Sequence, residues 1–180
     1  MSSISYPVPN ESAHWHKNSE EPKMAGIISI ISMLVGAIGI FLGFFYRSSN
    51  PLESLGIVTV TTVGVVGVLA FVRHVVFHKS DAKRLGWETE KPDWMFEVGF
   101  ANLAFGLMGF LSVLEGWGMH AQVVVLLGYA FYLFQAACLH GYRYFADNKK
   151  SPARFWRSFI ATLLYAGMMA FFAISALLSR

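Results

Sequence analysis

Five apolar runs, each close to the length that crosses a bilayer, limit what this chain can fold into. Hydrocarbon about 30 Å thick takes about 20 helical residues to cross. Met24 to Tyr46 is 23 residues without a charge. Leu55 to Val72 is also uncharged, and its pattern continues past Arg73 to His78. Val98 to Leu114 extends back to Met95 at the interface, Gly116 to Tyr142 holds no Asp, Glu, Lys or Arg, and Ser158 to Ser179 is the fifth. Hydrophobic types make up 55% of the 180 residues and charged types 14%, which leaves too little polar surface to cover a water-soluble fold. The pattern predicts an all-α polytopic membrane bundle with spans at 24–46, 55–78, 95–114, 121–145 and 157–178. A re-entrant third segment is the competing arrangement. Residues 1–23 read as a polar tail and 24–180 as a single transmembrane domain. The first run is too long for the apolar part of a secretory leader.

Lys and Arg set the orientation. With five spans, twelve of the fourteen fall on the side of the amino-terminal tail, the 79–94 loop and the 143–157 loop. Only Arg47 and Arg180 fall on the other side. The expectation is a multi-pass protein of the cell (inner) membrane, amino terminus in the cytoplasm and carboxyl terminus outside. A pI near 9.1 then follows from topology and from attraction to anionic lipid at the cytoplasmic face, with no nucleic acid needed. The single cysteine, Cys138, excludes a disulfide framework or a Cys-based zinc site within one chain.

Small residues form stripes that admit close helix approach. The first span carries Ser29, Ser32, Gly36, Gly39 and Gly43, and the third carries Gly99, Asn102, Gly106 and Gly109. Asn102 and Gln135 read as hydrogen-bonding partners between helices. Such stripes also suit a homo-oligomer or a larger membrane complex.

Polar chemistry gathers at one level. On a regular helix His78 lies about 40° from His74 and Asp81 about 20° on the other side, so three donors share one arc with Gly67 and Ala70. Glu97 opens the third span at a similar depth, and His140 ends the fourth on the face of Tyr129, Leu133, Ala136 and Tyr144. His74, His78, Glu97 and His140, with Asp81 beside them, make a mixed nitrogen and carboxylate set suited to non-haem Fe or Zn. The bland alternative is a set of interfacial residues, with Glu97 paired to Arg73 or Arg143. A third reading is haem b, ligated by His74 or His78 with His140, its propionates held by Arg73 and Arg143.

No G-x-S-x-G, Walker A or dinucleotide fingerprint is present. His78-Lys79-Ser80-Asp81-Ala82-Lys83-Arg84-Leu85-Gly86-Trp87, with Glu97-Val98-Gly99-Phe100-Ala101-Asn102-Leu103-Ala104-Phe105-Gly106, resembles a family of small multi-pass bacterial membrane proteins of unknown function. That resemblance implies the membrane class and no activity. The function expected is a redox or hydrolytic metal enzyme acting on a small or lipidic substrate. Its rivals are an accessory or scaffold subunit of a membrane complex and a haem b protein.

Overall fold

The computed structural model describes residues 21–146 and 151–178, and every regular element among them is a helix. In chain order these are α1 (Glu21–Tyr46), α2 (Pro51–Val76), a short polar α3 (His78–Leu85), α4 (Asp93–Leu111), α5 (Gly118–Ala146) and α6 (Phe155–Leu178). All but α3 are long and apolar enough to cross a membrane, and their ends lie within about a turn of the expected ones. The tail before Glu21, with His14 and His16, and Lys149 and Lys150 lie outside the described residues.

Local chemistry sets the tight α1–α2 connection. Pro51 occupies the first turn of α2, and the Asn50 side chain accepts from the Glu53 amide at 3.2 Å. Ser54 donates to the Gly43 carbonyl at 2.6 Å, bonding the two helices where they turn. Farther along, Gly36 and Gly39 of α1 receive the Tyr165 ring and the Thr61 side chain. The α4 stripe is used in the same way. A methyl group on Gly67 would stand 2.7 Å from the Asn102 carbonyl oxygen and 2.9 Å from the Gly106 Cα, so the α2 and α4 backbones touch. The glycines of both stripes are therefore packed within the chain.

α2 packs along both α1 and α4, α5 pairs with α6, and Leu126, Tyr129, Met169 and Phe172 pack with Leu55 and Val58 into the main core. Phe44 meets Phe171 and Phe172 at ring separations of 5.6 and 4.8 Å, which joins α1 to α6 at one end of the bundle.

α2 is not a regular helix. Thr59–Val65 and Val72–Val76 wind with the wider π repeat. In the first of these, Thr59, Thr61 and Thr62 donate back to the carbonyls of Leu55, Ile57 and Val58, competing with the backbone ladder. The second carries Arg73 and His74 and stops at Phe77, whose φ of −107° and ψ of 32° break the helix. α3 then packs on α1, and its Ser80 hydroxyl accepts from the Ala25 amide at 3.2 Å. Gly86 closes α3 at φ +70°, a left-handed position that favours glycine.

Candidate functional site

Asp81 is the centre of a buried charge cluster. Its side chain is fully enclosed, and its two oxygens meet three cationic or imidazole groups. Arg84 donates from Nε at 2.9 Å and approaches through Nη2 at 2.7 Å, both to Oδ1. His74 Nδ1 lies 2.8 Å and Arg73 Nε 3.6 Å from Oδ2. Neither approach makes a well-formed hydrogen bond, and Arg73 stands too far away for one, so both act as electrostatic contacts. Arg73 Nη2 also reaches His74 Nε2 at 3.1 Å. Burial alone would push the Asp81 carboxyl up, but His74, Arg73 and Arg84 outweigh it and hold the group down at about 2.

That shift gives a sign for acid sensitivity. The folded value lies below the ordinary 3.8, so the contribution is complete above about pH 4 and is lost as pH falls through about 2. Thermal melts between pH 6 and pH 2 should show a loss of about 2 kcal/mol from this group. An Asp81→Asn variant, already weakened at pH 6, should lack that loss; an equal acid slope in both would remove Asp81 as its source.

Of the five residues expected to share a metal, the structure brings together His74 and Asp81. Both ring nitrogens of His74 face partners, Asp81 and Arg73. His78 turns away: Nδ1 lies 3.0 Å from the Val75 carbonyl, and the ring meets Phe96 edge-on at 5.2 Å. The reason is the π turn and the break at Phe77, which change the angle between positions 74 and 78 from that of a regular helix. His140 stacks on Trp87 at 5.0 Å, and Glu97 is exposed on α4. Arg73 pairs with Asp81 rather than with Glu97. Among the described residues no group of three or more His, Cys, Asp or Glu could hold a metal ion. For haem, His74 would first have to leave its two partners; Arg73 and Arg143 both line one cleft.

That cleft was not foreseen. It has a volume of about 1340 Å³ and is walled by α1, α2, α4, α5 and α6. On α1 its lining runs from Gly26 to Phe41, a depth of about 22 Å at 1.5 Å per residue. One end is basic: Arg73, Arg84, Arg143 and Arg157 line it, with His74 and His140. Facing these four guanidinium groups are two carboxylates, Glu88 in the lining and Asp81 behind it. Trp87 and Trp94, 5.6 Å apart, stand at the same mouth. The rest is largely apolar, and its α1 and α6 walls are open sideways. Ile30, Met33 and Leu164 line it while remaining 56%, 59% and 61% exposed. Two π segments deliver mouth residues, Arg73 and His74 from Val72–Val76 of α2 and Arg157 and Ser158 from Phe155–Ile160 at the start of α6.

Deeper in the cleft, Asn102 behaves as the expected polar link. It donates to the Val98 carbonyl at 2.7 Å and to the Tyr132 hydroxyl at 3.1 Å, and it accepts from the Tyr129 hydroxyl at 2.8 Å. Tyr165 donates to the Thr62 carbonyl at 3.2 Å nearby. Gln135, expected to bond between helices, is exposed and lines the cleft instead. Gln122, unremarked in the sequence, is buried with its carbonyl oxygen unpartnered among the described residues.

Fold and site together define a membrane-type helical bundle with a laterally open, basic-mouthed cleft. The chain belongs to a family of unknown function, DUF6790, whose match covers residues 24–178. No curated protein and no solved structure matches it.

Proposed function

We propose that this protein is an inner-membrane protein, amino terminus inside, whose cleft binds an amphiphile with an anionic headgroup. The observation that carries the reading is the concentration of four arginines at one end of an apolar cleft open to the side. An anion there meets an excess of positive charge, because Asp81 and Glu88 offset only part of it. The volume exceeds the roughly 300–1,000 Å³ typical of pockets for drug-sized ligands and suits a lipid-sized one. Twelve basic residues on one side support this orientation, in which the mouth faces the cytoplasm, where anionic lipid is abundant.

Arg143 and Arg157 are exposed, and neither pairs with Asp81, so they can be changed without breaking the buried cluster. Trp87 and Trp94 at the mouth report occupancy. In detergent, with Trp15, Trp117 and Trp156 replaced by Phe, bromine-labelled phosphatidic acid should quench the fluorescence of these two at lower concentration than bromine-labelled diacylglycerol. The double variant Arg143→Gln, Arg157→Gln should weaken the phosphatidic acid response about tenfold or more, each lost charge-assisted contact being worth about 1.5–3 kcal/mol. Equal quenching by the two lipids, or a double variant that binds as wild type does, overturns the proposal.

A further inference from the structure

Among the described residues, nothing accepts the hydroxyl proton of Tyr132. The Val98 carbonyl can only accept, so the Asn102 atom 2.7 Å from it is the amide nitrogen. The same nitrogen donates to the Tyr132 oxygen, while the Asn102 side-chain oxygen, Oδ1, accepts from Tyr129. Tyr132 is therefore held as an acceptor from Asn102, and among the described residues no acceptor takes its own proton. Its side chain lines the cleft. A half-buried hydroxyl fixed in this way offers its proton to whatever occupies that space.

Depth narrows what the occupant carries there. Gly99 of α4 packs on the His74 Cβ, which puts Gly99 level with the charged mouth. Asn102 lies three residues further along the same helix, about 4.5 Å deeper. Tyr132 is bonded to it, so the free proton sits just below the arginines and above the apolar part of the cleft. In a glycerophospholipid the acyl ester carbonyl follows the phosphate by the glycerol carbons and one ester oxygen. A fatty acid or a prenyl phosphate has no acceptor at that position.

Resting on the anionic-amphiphile reading, we infer that Tyr132 is a specificity-determining residue that donates to the ester carbonyl of a glycerophospholipid whose phosphate lies among the arginines. Asn102 is a positioning residue: it holds the hydroxyl so that the proton faces the cleft.

The test changes the ligand as well as the protein. Diacyl phosphatidic acid and its dialkyl ether analogue carry the same phosphate and chains of the same length, but only the first has carbonyls. Their affinities for the full-length protein in detergent can be read by tryptophan fluorescence. Wild type should prefer the ester about fivefold, the effect of one neutral hydrogen bond. Tyr132→Phe should bind both lipids with the affinity wild type shows for the ether. It leaves Asn102 its bond to Val98, so little loss of stability accompanies it. Equal affinities in wild type, or a preference that persists in Tyr132→Phe, overturn the inference while the anionic-amphiphile reading stands. Binding of neither lipid overturns that reading itself.

Discussion

Asp81→Ala should be the most damaging single side-chain truncation at the charged end of the bundle. The carboxylate is fully enclosed, and its loss leaves Arg73, His74 and Arg84 crowded together with no anion between them. Breaking a buried ion pair by deleting one member costs about 3–5 kcal/mol, because the remaining charge stays desolvated. For a chain of 180 residues that corresponds to a fall of about 10 °C or more in the thermal midpoint. The damage should spread from α3, on which Asp81 lies, to the start of α1, which is held through the Ser80 contact to the Ala25 amide. Arg84→Gln should cost less, since the Arg84 side chain is 23% exposed and Asp81 would keep Arg73 and His74. Melting curves of the purified variants at pH 7 and moderate salt check this order. A loss below about 1 kcal/mol for Asp81→Ala would mean that the cluster is hydrated and contributes little.

The five long helices were legible because hydrocarbon leaves few alternatives. A backbone in lipid must satisfy its own polar groups, so long apolar runs become helices. The glycine stripes were legible for a related reason, since close approach needs small side chains at helical spacing. Asn102 was read as a link between helices and is one. His74 and Asp81 were placed on one arc and do meet.

His78 shows where that reasoning stopped. Its placement assumed 100° per residue through Val76, whereas the backbone there winds as a π helix and breaks at Phe77. Nothing in Val72-Arg73-His74-Val75-Val76 announces a wider turn. Glu97 shared the right depth and the wrong side of α4, because depth follows from residue count while azimuth depends on which face packs. The cleft could not be read at all, since it arises from the separation of α1 and α6 below their aromatic contact. One signal was present. Tyr129, Leu133, Ala136 and His140 were grouped on one face of α5, and that face forms a wall of the cleft.

Gly67→Leu should separate α2 from α4 and so carry a packing change to the ligand wall. Even a single carbon at Gly67 would stand 2.7 Å from the Asn102 carbonyl oxygen, 2.9 Å from the Gly106 Cα and 3.0 Å from the Gly106 nitrogen. All three are backbone atoms, so no side chain can rotate out of the way. Overpacking of this kind costs about 1–3 kcal/mol for small additions, and leucine adds three further carbons that only a shift of the whole helix can accommodate. Gly167→Ala is the matched control, because a methyl group there meets nothing within 4 Å. It should be neutral or stabilising by about 0.5–1 kcal/mol, the usual gain of Ala over Gly inside a helix. The functional consequence follows from Asn102, which sits at the point of contact and spans from α4 to Tyr129 and Tyr132 on α5. Moving α4 outward loosens that link, so Gly67→Ala, the milder change, should reduce the preference for ester over ether lipid while Arg143 and Arg157 still attract the phosphate. Loss of stability in Gly67→Leu no greater than in Gly167→Leu would show that the α2–α4 contact is not close in the protein. Loss of stability with the ester preference intact in Gly67→Ala would separate the packing of α4 from the placement of Tyr132.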